Sequence, residues 1–138
     1  MYARAGFVGI TRGTNRAHLC RAVLEGIAFQ VQELVTAMEE ASGKTISSLK
    51  VDGGASASRF LMQFEADLLG ISVTRPDNIE TTALGAAYMA AITCGIFTPE
   101  TLFELPVSST VFTPKEDRAK AEERMARWQK AVKAIRCY

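Results

Sequence analysis

Cysteine and histidine are scarce in this chain. Its 138 residues include three cysteines and a single histidine. The cysteines at positions 20, 94 and 137 are odd in number, lie far apart and show no CxxC spacing, which argues against a zinc site and against a disulfide scaffold. We therefore expect reduced thiols and a cytoplasmic location, with Cys20 and Cys94 as small core residues.

The sequence also lacks an excess of charge and a long apolar run. Its 16 basic and 15 acidic residues give a net charge of +1, which provides no basis for electrostatic capture of nucleic acid or an anionic membrane surface. No apolar run approaches the roughly 20 residues of a membrane helix, and the first residues do not read as a secretory signal. We expect neither nucleic acid nor a membrane as a partner.

Familiar catalytic motifs are missing as well. There is no serine hydrolase elbow, no Walker lysine loop and no paired Asp set for a two-metal nuclease. His18 lies at the start of a predicted helix, without a partner cysteine, serine or carboxylate at a telling spacing. We interpret it as a packed or helix-terminal residue rather than a catalytic one.

Strand and helix patterns alternate along the chain. With 48% hydrophobic and 22% charged residues, the composition is that of an ordinary globular protein. The pattern predicts strands at 7–11, 48–51 and 71–75, and helices at 16–42, 56–69, 83–91 and from Thr113 onward. The order β-α-β-α-β-α with a C-terminal helix predicts an α/β fold with a mostly parallel sheet. Since three strands make a thin sheet, we expect the chain to be part of a domain.

Two of the predicted helices carry an apolar stripe. In the helix at 16–42, apolar residues recur every three or four positions, at Leu19, Val23, Ile27, Val31, Leu34 and Met38. We expect this stripe to be buried. The final helix shows the same spacing, at Ala121, Met125, Trp128, Val132 and Ile135. The helix at 83–91 is rich in alanine and glycine, and we expect it to press flat against a sheet or another helix.

The segment Val51-Asp52-Gly53-Gly54-Ala55-Ser56 is the strongest candidate for a ligand site. Paired glycines allow positive φ and leave no Cβ in the way of a ligand. A following helix start supplies unpaired N–H groups, so a phosphorylated ligand can lie against bare backbone. Asp52 has two interpretations that the sequence leaves open: contact with a ligand hydroxyl or metal-bound water, or hydrogen bonds to backbone N–H groups in the turn.

Three segments, read in order, resemble the FGGY family of carbohydrate kinases. Residues 5–10 with 18–25 are similar to a family signature, and 51–56 are similar to the adenosine motif of the wider actin, hexokinase and sugar-kinase superfamily. Residues 61–88, including Arg75-Pro76 and Glu80-Thr81-Thr82, resemble the members that phosphorylate glycerol in particular. The resemblance runs from about Tyr2 to Trp128.

This resemblance implies a fold, an activity and a site. The fold is part of an actin-like, ribonuclease H-like ATPase domain, on its nucleotide side. The activity is transfer of the γ-phosphoryl group of ATP, with Mg²⁺, to a terminal hydroxyl of glycerol. The nucleotide-binding residues are Gly53, Gly54, Asp52 and Ser58; the family usually carries Asn where this chain has Ser58. No catalytic residue and no metal ligand is assigned in this chain.

Family members are several times longer than this sequence. We therefore expect residues 1–138 to be a partial C-terminal domain, without the N-terminal domain and early strands that carry the acceptor pocket and the catalytic base. On its own such a chain is expected to bind ATP weakly or not at all and to transfer no phosphoryl group. Two alternatives stay open: a kinase of the same family for a pentulose or erythritol, and a non-catalytic module that self-associates. Exposed apolar surface would make a homo-oligomer the expected state.

Overall fold

The computed structural model describes residues 5–136. Five helices, three strands and one 3₁₀ turn (residues Gly54–Ala57) follow one another in this range. In chain order they are α1 (Arg16–Ser42), β1 (Ser48–Lys50), the 3₁₀ turn, α2 (Arg59–Leu69), β2 (Ser72–Pro76), α3 (Thr81–Thr93), α4 (Pro99–Phe103), β3 (Ser109–Phe112) and α5 (Arg118–Ile135). The α/β class predicted from the sequence is confirmed.

The sheet is mixed rather than mostly parallel. β1 and β2 are parallel, with Leu49 opposite Val73, whereas β2 and β3 are antiparallel, with Val73 opposite Phe112. The prediction of a strand at 7–11 is wrong, since these residues have no regular structure and Gly9 takes a φ of +82°. A strand needs a neighbour to pair its backbone groups, and no described strand lies beside this segment.

The strand β3 and the start of α5 differ from the sequence prediction for one shared reason. Thr113-Pro114 follows β3 directly instead of opening a helix, and the Thr113 carbonyl accepts a hydrogen bond from the Gln63 side chain at 2.8 Å. The N-cap of α5 is Asp117, whose carboxylate accepts from the Ala119 N–H at 3.3 Å. Pairing with β2 thus extends the chain where the local signal favours a helix.

Local capping chemistry fixes the ends of α1 as predicted. The Asn15 side chain accepts from the His18 N–H, and His18 Nδ1 accepts from the Asn15 N–H, both at 3.2 Å. Gly43 closes the helix in the left-handed conformation with φ +65°. His18 is therefore a helix-terminal residue, as predicted.

Helix α2 lies at the centre of the core. Its buried residues pack against α1, α5 and the sheet, and Phe64 meets the Phe29 ring edge-on at 5.8 Å. Trp128 of α5 stacks on Phe29, at 5.1 Å between ring centroids. Gly26 lies against Trp128, and a Cβ at this position would lie 3.8 Å from the indole, an ordinary van der Waals distance. This aromatic stack joins α5 to α1 and α2.

Two helix faces predicted to be buried are open. Along α1 the buried residues are Ala28, Phe29 and Val35, while Leu34 is 61% exposed and Met38 53% exposed. Helix α3 has no buried residue at all, so the prediction that it presses against a neighbour is wrong within the described chain. Cys20 and Cys94, expected in the core, are exposed on α1 and after α3; Cys137 lies outside the described residues. Periodicity predicted the apolar stripe of α1, and the alanine and glycine content predicted close packing of α3, but residues 5–136 supply no element to cover these faces.

One ionisable side chain sits in the core without a recorded hydrogen bond among residues 5–136. Glu65 of α2 is only 4% exposed, and burial raises its pKa from 4.5 to about 7. Its neighbour Asp67 is also buried, but accepts from the Lys115 N–H at 2.6 Å and from the Gln63 amide at 3.0 Å. Ionised Glu65 therefore destabilises the folded state, whereas the hydrogen bonds that Asp67 accepts stabilise it.

We expect Glu65→Gln to stabilise the protein at alkaline pH. A raised pKa means that the folded state favours protonated Glu65, so this contribution is fully present below pH 4.5 and is lost as the pH rises through about 7. The full loss is about 3 kcal/mol of unfolding free energy. Urea unfolding at pH 5 and pH 8 measures it: the advantage of Glu65→Gln over the original chain should grow between the two values. Asp67→Ala, which removes the Oδ1 acceptor of both hydrogen bonds, is the control and should destabilise the protein at both pH values. An advantage of Glu65→Gln that is the same at pH 5 and pH 8 would contradict the assignment.

Candidate functional site

The paired glycines lie at the carboxyl end of a parallel strand. β1 leads into Val51, whose N–H still bonds the Thr74 carbonyl of β2 at 3.0 Å. Gly53 then takes φ +78° and ψ 172°, a conformation open essentially only to glycine, and the 3₁₀ turn begins at Gly54. Ligands in open α/β sheets bind outside the carboxyl ends of the strands, and the glycines occupy such a position.

The front of the turn, residues 52–53, is joined by hydrogen bonds to the segment that begins α3. The Gly53 N–H donates to the Ile79 carbonyl at 2.9 Å, and the Thr81 hydroxyl donates to the Asp52 carboxylate. Asp52 therefore contacts a side chain on a neighbouring element, and its bond is not to the turn's own N–H groups. This brings the N-terminus of α3, where Glu80 makes no side-chain cap bond, beside the glycines.

The rear of the turn, residues 56–57, is fixed by hydrogen bonds that involve the Ser56 and Arg75 side chains. Ser56 is 2% exposed, and its hydroxyl donates to the Gly53 carbonyl at 2.7 Å. Arg75 of β2 donates from one Nη1 to the carbonyl of Ser56 at 3.0 Å and to that of Ala57 at 3.5 Å. Backbone and side-chain bonds thus fix the turn at both ends.

Between these anchors the turn faces open space. A Cβ built on Gly53 or Gly54 would meet no atom within 4 Å. Within residues 5–136, the Gly54 and Ala55 N–H groups have no recorded acceptor. Successive unpaired N–H groups beside an unobstructed surface can bind an anionic group such as a phosphate.

Ser58 has a structural role that is visible in its contacts. It is the N-cap of α2, and its hydroxyl oxygen accepts from the Leu61 N–H at 3.3 Å. Its hydroxyl proton is still able to donate to a ligand. The four predicted site residues, Asp52, Gly53, Gly54 and Ser58, therefore lie along one continuous turn, although only the glycines present open backbone.

The glycine turn lies outside the cleft between α1 and α5. This cleft is lined by Gln32, Arg118 and Met125, and none of residues 51–58 belongs to it. Over residues 5–136, no group of three or more His, Cys, Asp or Glu side chains could hold a metal ion. No helix in this range is long and apolar enough to cross a membrane.

Comparison with known proteins places the chain in a family. Residues 2–94 match the family model for the C-terminal domain of the FGGY family of carbohydrate kinases. The chain belongs to this family. The predicted kinship is therefore confirmed, and the glycine turn lies inside the matched region.

Individual FGGY kinases match nearly the whole chain. Over 133 residues it is 47% identical to glycerol kinase of Fusobacterium nucleatum, covering 96% of this chain and 27% of the relative. The structure of Plasmodium falciparum glycerol kinase with ADP superposes with a TM-score of 0.79 at 33% identity, over 97% of this chain and 27% of the other. Xylulose kinase from Rhodospirillum rubrum gives 0.71 at 28% identity, over 97% and 28%. The chain thus spans about a quarter of the length of these relatives.

Sequence reasoning located the turn but missed what fixes it. Ile79, Thr81 and Arg75 lie 18 to 29 residues from their partners in the turn. A signal for Thr81 was present, because a threonine before an apolar run is a helix-start residue, but nothing local pairs it with Asp52.

We expect the two glycines to respond differently to alanine. Gly53→Ala places a side chain at φ +78° and ψ 172°, which costs of the order of 1–3 kcal/mol of unfolding free energy. Gly54→Ala adds a methyl group in open space at an ordinary φ, and should change stability by no more than about 0.5 kcal/mol. Urea unfolding compares the two. Equal losses would mean that Gly53 is not held in the described conformation.

Proposed function

We propose that this chain forms the nucleotide side of a glycerol kinase, an enzyme that transfers the γ-phosphoryl group of ATP to glycerol to give glycerol 3-phosphate. The observation that carries the proposal is the open Gly53-Gly54 turn, with its unpaired N–H groups, inside a segment that belongs to the FGGY family. The glycerol kinase relative at 47% identity favours glycerol over a pentulose, for which the xylulose kinase structure is 28% identical.

Each residue of the turn has a distinct part in this proposal. Gly53 and Gly54 leave room for the nucleoside, and the Gly54 N–H donates to the α-phosphate. Asp52 makes no direct contact with the nucleotide in this proposal; it accepts the hydrogen bond of Thr81 and so keeps the start of α3 beside the turn. Ser58 offers its hydroxyl proton from the far end of the turn, where it also caps α2.

The described residues do not form a Mg²⁺ site by themselves. No cluster of three candidate ligands exists within 5–136, and the Asp52 carboxylate is engaged by the Thr81 hydroxyl. Mg²⁺ binds through one or two carboxylates together with the phosphates of its nucleotide. We therefore propose that Mg²⁺ comes with ATP.

We further propose that residues 1–138 act as a partial domain, inactive unless the rest of a kinase is supplied. Phosphoryl transfer requires nucleotide, metal, acceptor and base in one in-line geometry, and the turn provides one wall of the nucleotide site. The open apolar faces of α1 and α3 support this proposal, because a complete kinase would cover such surfaces. We also propose a cytoplasmic location, supported by the cysteine pattern.

A chimera tests the proposed activity. The chain replaces the matching 27% of the Fusobacterium nucleatum enzyme, and glycerol 3-phosphate formation is measured with ATP. We expect activity from the chimera and none from the chain alone. Gly54→Val should raise the KM for ATP about tenfold and leave the KM for glycerol nearly unchanged, because the added methyl groups fill the nucleotide's space. Ala41→Val, on the exposed end of α1, is the control.

Three results would contradict this proposal. Glycerol phosphorylation by the isolated chain would show that no further part is needed. A folded chimera without activity would contradict the proposal that this chain can serve as part of a glycerol kinase. An unchanged KM for ATP in Gly54→Val would remove the turn from the nucleotide site.

Self-association is a second candidate function, favoured by one observation. Helix α3 has no buried residue, and Met89 on it is 68% exposed. We propose that copies of the isolated chain pair through this face as a homo-oligomer. Light scattering over a range of dilution measures it, and a monomer at all concentrations would contradict it.

A further inference from the structure

Arg75, near the carboxyl end of β2, connects this strand to residues 56–57 at the rear of the glycine turn. Its Nη1 donates to the carbonyls of Ser56 and Ala57, and its guanidinium lies over the Phe112 ring at 5.6 Å. Hydrogen bonds from a charged donor are stronger than neutral ones, and stacking holds the guanidinium plane in one orientation. These contacts link two elements that lie side by side at the carboxyl edge of the sheet.

The two carbonyls that Arg75 binds have no helical partner of their own. They end the 3₁₀ turn, and α2 begins only after the Ser58 cap, so neither carbonyl is used within a helix. The Nε of Arg75 is buried without an acceptor in the described chain, a cost that the carbonyl bonds and the stacking must offset. The side chain is therefore committed to the turn.

We propose that Arg75 is a positioning residue for the nucleotide. By fixing the Ser56 and Ala57 carbonyls, it sets the direction in which the preceding N–H groups of Gly54 and Ala55 face the ligand. Arg75 acts through the backbone and is not assigned a contact with the nucleotide. The nucleotide part of this inference rests on the proposed function; the effect on the turn does not.

Arg118 is a matched control at the opposite end of α2. Its Nη1 also donates to two successive carbonyls, those of Leu68 at 3.0 Å and Leu69 at 3.3 Å. The paired carbonyl bonds are of the same kind as at Arg75, although Arg118 also pairs with the Glu122 carboxylate at 3.3 Å. These bonds lie at the C-terminus of the helix, away from the turn. Any effect common to both arginines is therefore general stability, and any effect confined to Arg75 belongs to the turn.

The test compares Arg75→Met, Arg75→Lys and Arg118→Met in the full 138-residue chain. Amide exchange is followed by NMR at Ser56 and Ser58, whose N–H groups bond the Gly53 and Ala55 carbonyls at 3.0 and 3.2 Å. After correction for global stability, we expect about tenfold faster exchange in Arg75→Met and no change in Arg118→Met. ADP titration followed by amide shifts should give a dissociation constant about tenfold higher in Arg75→Met alone. Arg75→Lys should recover part of both effects, because an ammonium can reach one carbonyl without stacking as a guanidinium does.

The outcomes separate this inference from the proposed function. Unchanged exchange in Arg75→Met, or an equal change in Arg118→Met, overturns the role of Arg75 in holding the turn. Faster exchange with an unchanged ADP dissociation constant overturns its role toward the nucleotide. If ADP shifts amide signals elsewhere in the original chain and none at the turn, the nucleotide site fails, and the exchange data still decide whether Arg75 holds the turn.

Discussion

The backbone conformation of Gly53 is the constraint on which the rest of this structure depends. At φ +78° and ψ 172° the chain leaves β1 and enters the 3₁₀ turn, with the Gly53 N–H aimed at the Ile79 carbonyl. That single bond sets α3 beside the turn, and the bond from Thr81 to Asp52 completes the contact. Any side chain at position 53 would strain this conformation, so one glycine decides whether the turn, β1 and α3 meet.

The packing behind the turn explains why it is held firmly on one side and open on the other. Helix α2 is the most buried element, wedged between α1, α5 and the sheet, and it starts immediately after the turn. On the open side, neither α3 nor the outer face of α1 is covered by any element within residues 5–136. The same asymmetry that leaves the N–H groups of the turn accessible also leaves apolar helices in water, which fits a chain covering about a quarter of its relatives' length.

Local chemistry in the sequence predicted the parts of the fold that depend on a few neighbouring residues. The bounds of α1, the C-terminal end of α2 and the glycine turn were predicted from the sequence, because each depends on a side chain or a φ value within a few positions. The pairing of β3 with β2 could not be predicted, because these strands are far apart in the sequence. Thr113-Pro114 also has the pattern of a helix start, although no helix begins there. The stripe on α1 was correct as a pattern and wrong as a burial prediction, because the elements present decide which apolar face is covered. In the site, the glycines were found, while Thr81 and Arg75 were missed as partners, since only the folded chain brings them to the turn.

The most direct test of this account is where ADP lies on the chain. NMR amide shifts of the 138-residue protein, recorded as ADP is added to millimolar concentration, locate the contact residue by residue. We expect the largest shifts at Gly53, Gly54 and Ala55, with smaller ones at the start of α3. Shifts centred on the cleft between α1 and α5, with none at the glycine turn, would contradict the central claim that this turn is one wall of a nucleotide site.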